Sequence, residues 1–238
     1  MLAGVGAAPA LLTLLITFFV PESERWKSSV QKELSRPVRE IFSAKLFTTT
    51  LLAISFASVA LIVTWGIVQW IPLWADQITG GKMPKAKAII QLVSAVGAVI
   101  GCLIAPLLGQ RLGRRPVYFG LCLASLLVCS FLFRGLREFN ATFLVSVGLV
   151  GACTAAFYGW LPQYLPELFP TRVRATGQGL AFNFGRILAA LGAWKMGAVM
   201  GFFDKSYAKA GATIVMIYLV GMVLIWFAPE TKDRPLPE

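Results

Sequence analysis

Long apolar runs alternate with short polar pieces along the whole chain. Cutting at charges, glycine and proline leaves seven apolar segments, 2–20, 46–73, 86–108, 116–133, 141–165, 177–202 and 211–228, each nearly free of charge. A helix rises 1.5 Å per residue, so about 20 residues cross about 30 Å of hydrocarbon, and inside lipid a helix satisfies its own backbone groups. The pattern therefore predicts an all-α fold, a polytopic transmembrane bundle of about seven helices. The polar pieces after residue 45 are short, as between antiparallel packed helices. The resulting organisation is one membrane helix over 1–20, a polar linker over 21–45, six helices within 46–228 and a tail over 229–238.

The linker has some order of its own. Val30 and Leu34, then Val38, Ile41 and Phe42, recur at helical spacing on either side of Pro37. Two short amphipathic helices on the membrane surface, with Trp26 as an interfacial anchor, fit this spacing, and so does a solvated linker. Trp65, Trp70 and Trp74 read as an aromatic belt near the outer end of the second segment. Gly97/Gly101 and Gly197/Gly201 read as sites of close helix crossing.

Composition agrees with a membrane protein and removes other classes. Of the 238 residues, 57% are hydrophobic and 14% charged, against about 25% charged in soluble domains. Histidine is absent, so imidazole is unavailable as metal ligand, general base or switch near neutral pH. Cys102, Cys122, Cys129 and Cys153 lie in apolar runs without CxxC spacing and read as small hydrophobes. No nucleophile, base and orienting group occur together, so the chain does not read as an enzyme, and nothing in it calls for a cofactor or metal.

The net charge of +11 suggests nucleic acid, but the basic residues are scattered between apolar spans with no stacking aromatics. Bilayer orientation accounts for them better. Arg25, Lys27, Lys32, Arg36, Arg39 and Lys45 join Arg111, Arg114, Arg115, Arg172, Arg174, Lys232 and Arg234 on one side, 13 in all, against seven on the other. The positive-inside rule puts the larger group and the C-terminus in the cytoplasm, and the N-terminus outside. A start at Met1 directly within an outward-facing span, without a basic leader, reads as the C-terminal piece of a longer protein.

Three cytoplasmic stretches are more specific than generic loops. They are Gly109-Gln110-Arg111-Leu112-Gly113-Arg114-Arg115, then Pro166-Glu167-Leu168-Phe169-Pro170-Thr171-Arg172-Val173-Arg174, and the paired segment ends Pro21-Glu22 and Pro229-Glu230-Thr231-Lys232. In this order and at these distances they resemble the second half of the major facilitator superfamily, across nearly the whole chain. The resemblance matches the seven segments to the family's sixth through twelfth helices.

It implies an integral inner-membrane secondary transporter with a small-molecule substrate, a coupling ion (a proton) and an N-terminal bundle to rock against. It also implies a cytoplasmic gate network of Glu22, Arg114, Arg115, Glu167, Arg174 and Glu230 that latches the outward-facing state. Gln110 stands where the family usually has a carboxylate, which removes one negative partner. The run Gly177–Arg186, with Trp70-Ile71-Pro72, resembles organic-anion and aromatic-acid symporters. The sugar porters share Pro-Glu-Leu-Phe-Pro but normally have a Gly-Pro-x-x-Trp stretch before it, a pattern that Tyr158-Gly159-Trp160-Leu161-Pro162 does not fit. Organic-anion transport leads, a sugar transporter is the alternative, and a non-transporting interaction or sensing protein is the reading from another class.

Arg186 is the most informative residue. Nine residues beyond Gly177, it lies about 13 Å into the membrane, where a charge is costly unless it faces a cavity or a partner. By these boundaries no Asp or Glu lies within a segment. Arg186 then reads either as an anion-binding group or as a structural arginine bonded to backbone carbonyls, with Asn183 one turn away on the same face, placed to orient a carboxylate. Lys195, nearer the outer end, snorkels.

Overall fold

The computed structural model describes residues 36–195 and 200–237, together with Thr13, Ile16, Phe18, Phe19 and Pro21. Glu22, Gly197, and most of the first predicted segment and of the linker lie outside the described residues. Every described regular element is helical: α1 Pro37–Ile41, α2 Phe47–Gly66, α3 Ile71–Thr79, α4 Ala86–Leu112, α5 Arg114–Ser130, α6 Ala141–Tyr164, α7 Arg174–Trp194, α8 Tyr207–Ile214 and α9 Ile217–Leu224. Short 3-10 or π turns extend several of these, so the six later predicted segments each emerge as a helix or a pair of helices joined by a bend.

Among the described residues five stretches are long and apolar enough to cross a membrane: Phe47–Thr79, Ala86–Leu112, Arg114–Gly135, Ala141–Leu168 and Tyr207–Phe227. The 21 residues of α7 have the length, but Gln178, Asn183 and Arg186 interrupt its apolar run. The first of the five runs six residues past its predicted end at residue 73, to Thr79, which brings Asp76 into a helix and corrects the expectation of no acidic residue there. At 33 residues this stretch is about 50 Å long, more than the hydrocarbon needs, and Asp76 near its C-terminal end pairs with Lys87 at 3.0 Å.

That stretch is broken. α2 stops at Gly66, Ile67 leaves helical geometry (φ −145, ψ −39), a 3-10 turn covers Val68–Trp70, and Pro72 starts α3 in its first turn. Proline lacks the N–H that would continue the ladder and is tolerated at a helix start.

Packing follows small residues. α4 and α6 lie almost backbone to backbone: a Cβ on Gly101 would stand 1.9 Å from the Ala152 carbonyl oxygen, and one on Gly159 would stand 2.2 Å from that of Cys102. Gly97 meets the Gly148 carbonyl in the same way, as its spacing predicted. Among the described residues nothing lies within reach of Gly201, so no described helix crosses closely at that half of the second glycine pair. α7 runs along α2 on the stripe Val173, Gly177, Ala181, Gly185 and Ala189, all buried.

The core between α2, α5, α6 and α9 is aromatic. Tyr118 is fully buried among Phe56, Phe157 and Trp160, with ring centroids 4.7–5.4 Å apart. Trp74 belongs to a second cluster, against Phe133 and Phe143 at 5.3 and 5.2 Å. It is 5% exposed, so it is a core residue, and of the three tryptophans only Trp65 is half exposed. The outward faces carry Leu92, Val96, Val99, Leu103 and Leu107 of α4 in a continuous apolar strip, the surface that lipid favours and water does not.

α1 is pinned to the bundle. Ile41 is fully buried, the Thr50 hydroxyl donates to its carbonyl at 2.6 Å, and Arg172 donates to the Glu40 carboxylate at 2.6–2.7 Å. Val38 and Phe42, predicted on the same apolar face, are exposed.

Candidate functional site

Two clusters contain the candidate residues, one at the end of the bundle where α5 and α7 begin and one on the open face of α7. In the first, Gly113 ends α4 with φ +102, a conformation that costs glycine little. A Cβ there would also come within 3.0 Å of Glu230. The turn delivers Arg114 and Arg115 to the start of α5, where backbone N–H groups lack intrahelical acceptors and the helix dipole favours an anion. Glu230 supplies it, accepting the Arg114 and Arg115 backbone N–H at 2.8 and 3.0 Å, and those of Thr231 and Lys232 at 3.0 Å. Partial burial opposes ionisation of Glu230, but these four donors outweigh it and hold the carboxyl below its ordinary range.

The Arg114 side chain turns inward and is 8% exposed. Its guanidinium forks onto Glu167, donating from Nε at 2.9 Å and Nη2 at 2.6 Å, while Nη1 donates to the Gly109 carbonyl at 2.6 Å. The Thr231 hydroxyl donates to the same Glu167 carboxylate at 2.6 Å. Arg115 gives its side chain to the Ala228 carbonyl. Arg174, in the first turn of α7, donates to the carbonyls of Pro166, Phe169 and Pro237 at 2.9, 3.3 and 3.1 Å.

The structure thus brings together Arg114, Arg115, Glu167 and Glu230, and sets Arg174 at the edge of the same surface. Its bonds join the α4–α5 turn, the α6–α7 loop and the tail after α9, elements of one bundle. Sequence reasoning missed Thr231, Gly113 and Tyr164, whose hydroxyl donates to the Pro229 carbonyl at 2.6 Å. The Pro-Glu-Thr-Lys motif contained the first of these as a signal. Arg172–Glu40 was also missed, because it joins residues far apart in the chain.

The second cluster centres on Arg186. The face of α7 opposite its buried stripe holds Asn183, Arg186, Ile187, Ala190 and Trp194, all exposed. The Arg186 guanidinium carbon lies 4.9 Å from the centre of the Phe182 ring, a cation–π arrangement that holds the charge without neutralising it. Asn183 points its amide back along the helix, donating to the Gly179 carbonyl at 2.8 Å, with its oxygen end left to accept. Tyr158 of α6 meets Phe182 edge-on at 6.3 Å, within electrostatic reach of Arg186 and beside Thr64 and Trp65 of α2. A cation held over one aromatic ring of α7 thus lies near side chains of α6 and α2, an arrangement able to hold a planar organic anion. Tyr158 and Trp65 were not read as part of this site, because they lie on other segments. Lys195 stacks over its neighbour Trp194 at 5.2 Å.

A sequence model of the Major Facilitator Superfamily matches residues 1–193. The chain belongs to this superfamily. It is an integral membrane protein with a helical bundle of that family's kind. It is 27% identical over 95% of its length to the probable 4-methylmuconolactone transporter of Cupriavidus pinatubonensis, covering 52% of that protein. It is 26% identical over 97% of its length to the 3-(3-hydroxy-phenyl)propionate transporter of Escherichia coli, covering 56%. The cis,cis-muconate transport protein of Acinetobacter baylyi is 25% identical over 97% of this chain, which covers 57% of it. The chain thus spans about half the length of the curated relatives it matches. All three carry transporter names, and none is named as an enzyme.

Proposed function

We propose that this chain forms the C-terminal part of a secondary transporter for small organic anions, working by alternating access against an N-terminal bundle, with a proton as coupling ion. In this reading residues 46–228 are the C-terminal bundle, 1–20 the last helix of the other bundle, 21–45 the cytoplasmic linker and 229–238 a cytoplasmic tail. The membrane is the inner membrane, with the C-terminus inside.

The observation that carries the substrate class is the exposed Arg186 on the polar face of α7, held against an aromatic ring. Keeping a cation there costs several kcal/mol unless an anion or water meets it. The names of the three relatives, two of them organic-acid transporters, support the same class. Asn183 shares the face and helps orient the carboxylate. Glu22, Arg114, Arg115, Glu167, Arg174 and Glu230 form the cytoplasmic gate network, whose assembly and release accompany the rocking of the two halves.

The test is thermal stabilisation of the purified protein in nanodiscs by panels of organic acids and sugars, with Arg186→Lys alongside. Lysine keeps the charge and loses the planar two-point geometry, so acid binding should weaken by about tenfold or more. Stabilisation by sugars but not acids, or equal acid stabilisation of both proteins, overturns the anion reading.

A further inference from the structure

Among groups the mechanism has not used, the Tyr158 hydroxyl is the most unusual. It is buried on α6 and completes no hydrogen bond among the described residues. Buried hydroxyls nearly always find a partner, because leaving one unpaired forfeits its hydration without return. Thr64 and Trp65 stand close enough to interact with it, but no contact of full hydrogen-bond geometry reaches the phenol oxygen, and the Thr64 hydroxyl already donates its proton to the Ala60 carbonyl at 2.9 Å. Both Tyr158 and Arg186 flank the same ring, that of Phe182, one edge-on at 6.3 Å and the other over its face at 4.9 Å.

Resting on the anion-site reading above, we propose that Tyr158 is the second polar arm of that site and donates its O–H to the carboxylate that Arg186 anchors. Arg186 supplies charge and a planar fork; Tyr158 supplies one neutral donor from a different helix. A carboxylate has lone pairs to accept both. The hydroxyl is shielded by its neighbours, so contact follows a side-chain step in which half-exposed Trp65 moves aside. Substrate entry then exchanges an unpaired donor for a charge-assisted bond, which links the approach of α6 and α7 to occupancy of the site.

Tyr158→Phe isolates the hydroxyl, since the ring and its contact with Phe182 remain. Removing an unpaired buried hydroxyl should leave the melting temperature of the protein without added acid unchanged or raised. The same variant should bind a stabilising acid about tenfold more weakly. A hydroxyl with only a structural role would lower the first measurement and spare the second. Titration of wild type, Tyr158→Phe and Arg186→Lys in nanodiscs with one aromatic carboxylate separates the outcomes. Loss of affinity in both variants supports the two-arm site. Loss in Arg186→Lys with wild-type affinity in Tyr158→Phe overturns the Tyr158 inference and leaves the anion reading standing. Equal affinity in all three, or no binding by wild type, overturns both.

Discussion

The ion pair between Arg114 and Glu167 offers a quantitative test of the charge cluster at the start of α5. The two side chains are 10% and 16% exposed, with both fork contacts at 2.9 Å or less. Water does little to screen such a pair, unlike one at the surface. Glu167→Ala leaves the Arg114 guanidinium buried with only the Gly109 carbonyl as partner and should destabilise the bundle by about 3–4 kcal/mol, within the range for removing one member of a buried pair. Glu167→Gln keeps one acceptor and loses the charge, so about 2 kcal/mol is expected, the scale of a hydrogen bond to a charged group. Combining either variant with Arg114→Met should cost much less than the sum, because the uncompensated charge disappears.

Reversible unfolding of the purified protein in micelles measures these differences. Accessibility of single cysteines from the two sides of the membrane measures the resting conformation in parallel. A gate role predicts a shift toward the inward-open state in Glu167→Gln, of the size that about 1–3 kcal/mol of coupling gives. Stability of Glu167→Gln within about 0.5 kcal/mol of wild type would refute the buried-pair reasoning. Lost stability with unchanged accessibility would show the cluster to be a clamp within one bundle and remove the gate role.

Other outcomes follow from single contacts. Glu230 is held ionised below its ordinary range, so its contribution to stability is complete above the usual glutamate pKa of about 4.3 and is lost as the pH falls through the depressed value. The stability gap between wild type and Glu230→Gln should therefore be constant from neutral pH down to about pH 5 and close on further acidification; a gap that widens on acidification contradicts the assignment. Gly101→Ala places a methyl 1.9 Å from the Ala152 carbonyl oxygen. It should force α4 off α6 and destabilise by about 1–3 kcal/mol, whereas Gly201→Ala, with open space around it, should be neutral in the same unfolding assay.

The sequence alone determined the type and approximate place of the helices within 46–228, because lipid leaves a chain few options and apolar length reports directly on spanning. It also marked Arg114, Arg115, Glu167 and Glu230, since Gly-Arg-Arg, Pro-Glu-Leu-Phe-Pro and Pro-Glu-Thr-Lys are local motifs at helix ends. Arg186 stood out for the same reason, as a charge where charge is expensive. Tertiary structure decided the partners. Whether Arg115 meets a carboxylate or the Ala228 carbonyl, whether Trp74 lies at an interface or between Phe133 and Phe143, and whether Asp76 ends inside a helix all depend on distances between segments. So does the company of Arg186, where Phe182 of its own helix and Tyr158 of α6 come together. Hydropathy cannot reveal that convergence, because it records how each segment partitions into lipid and carries no information on which faces of two segments meet.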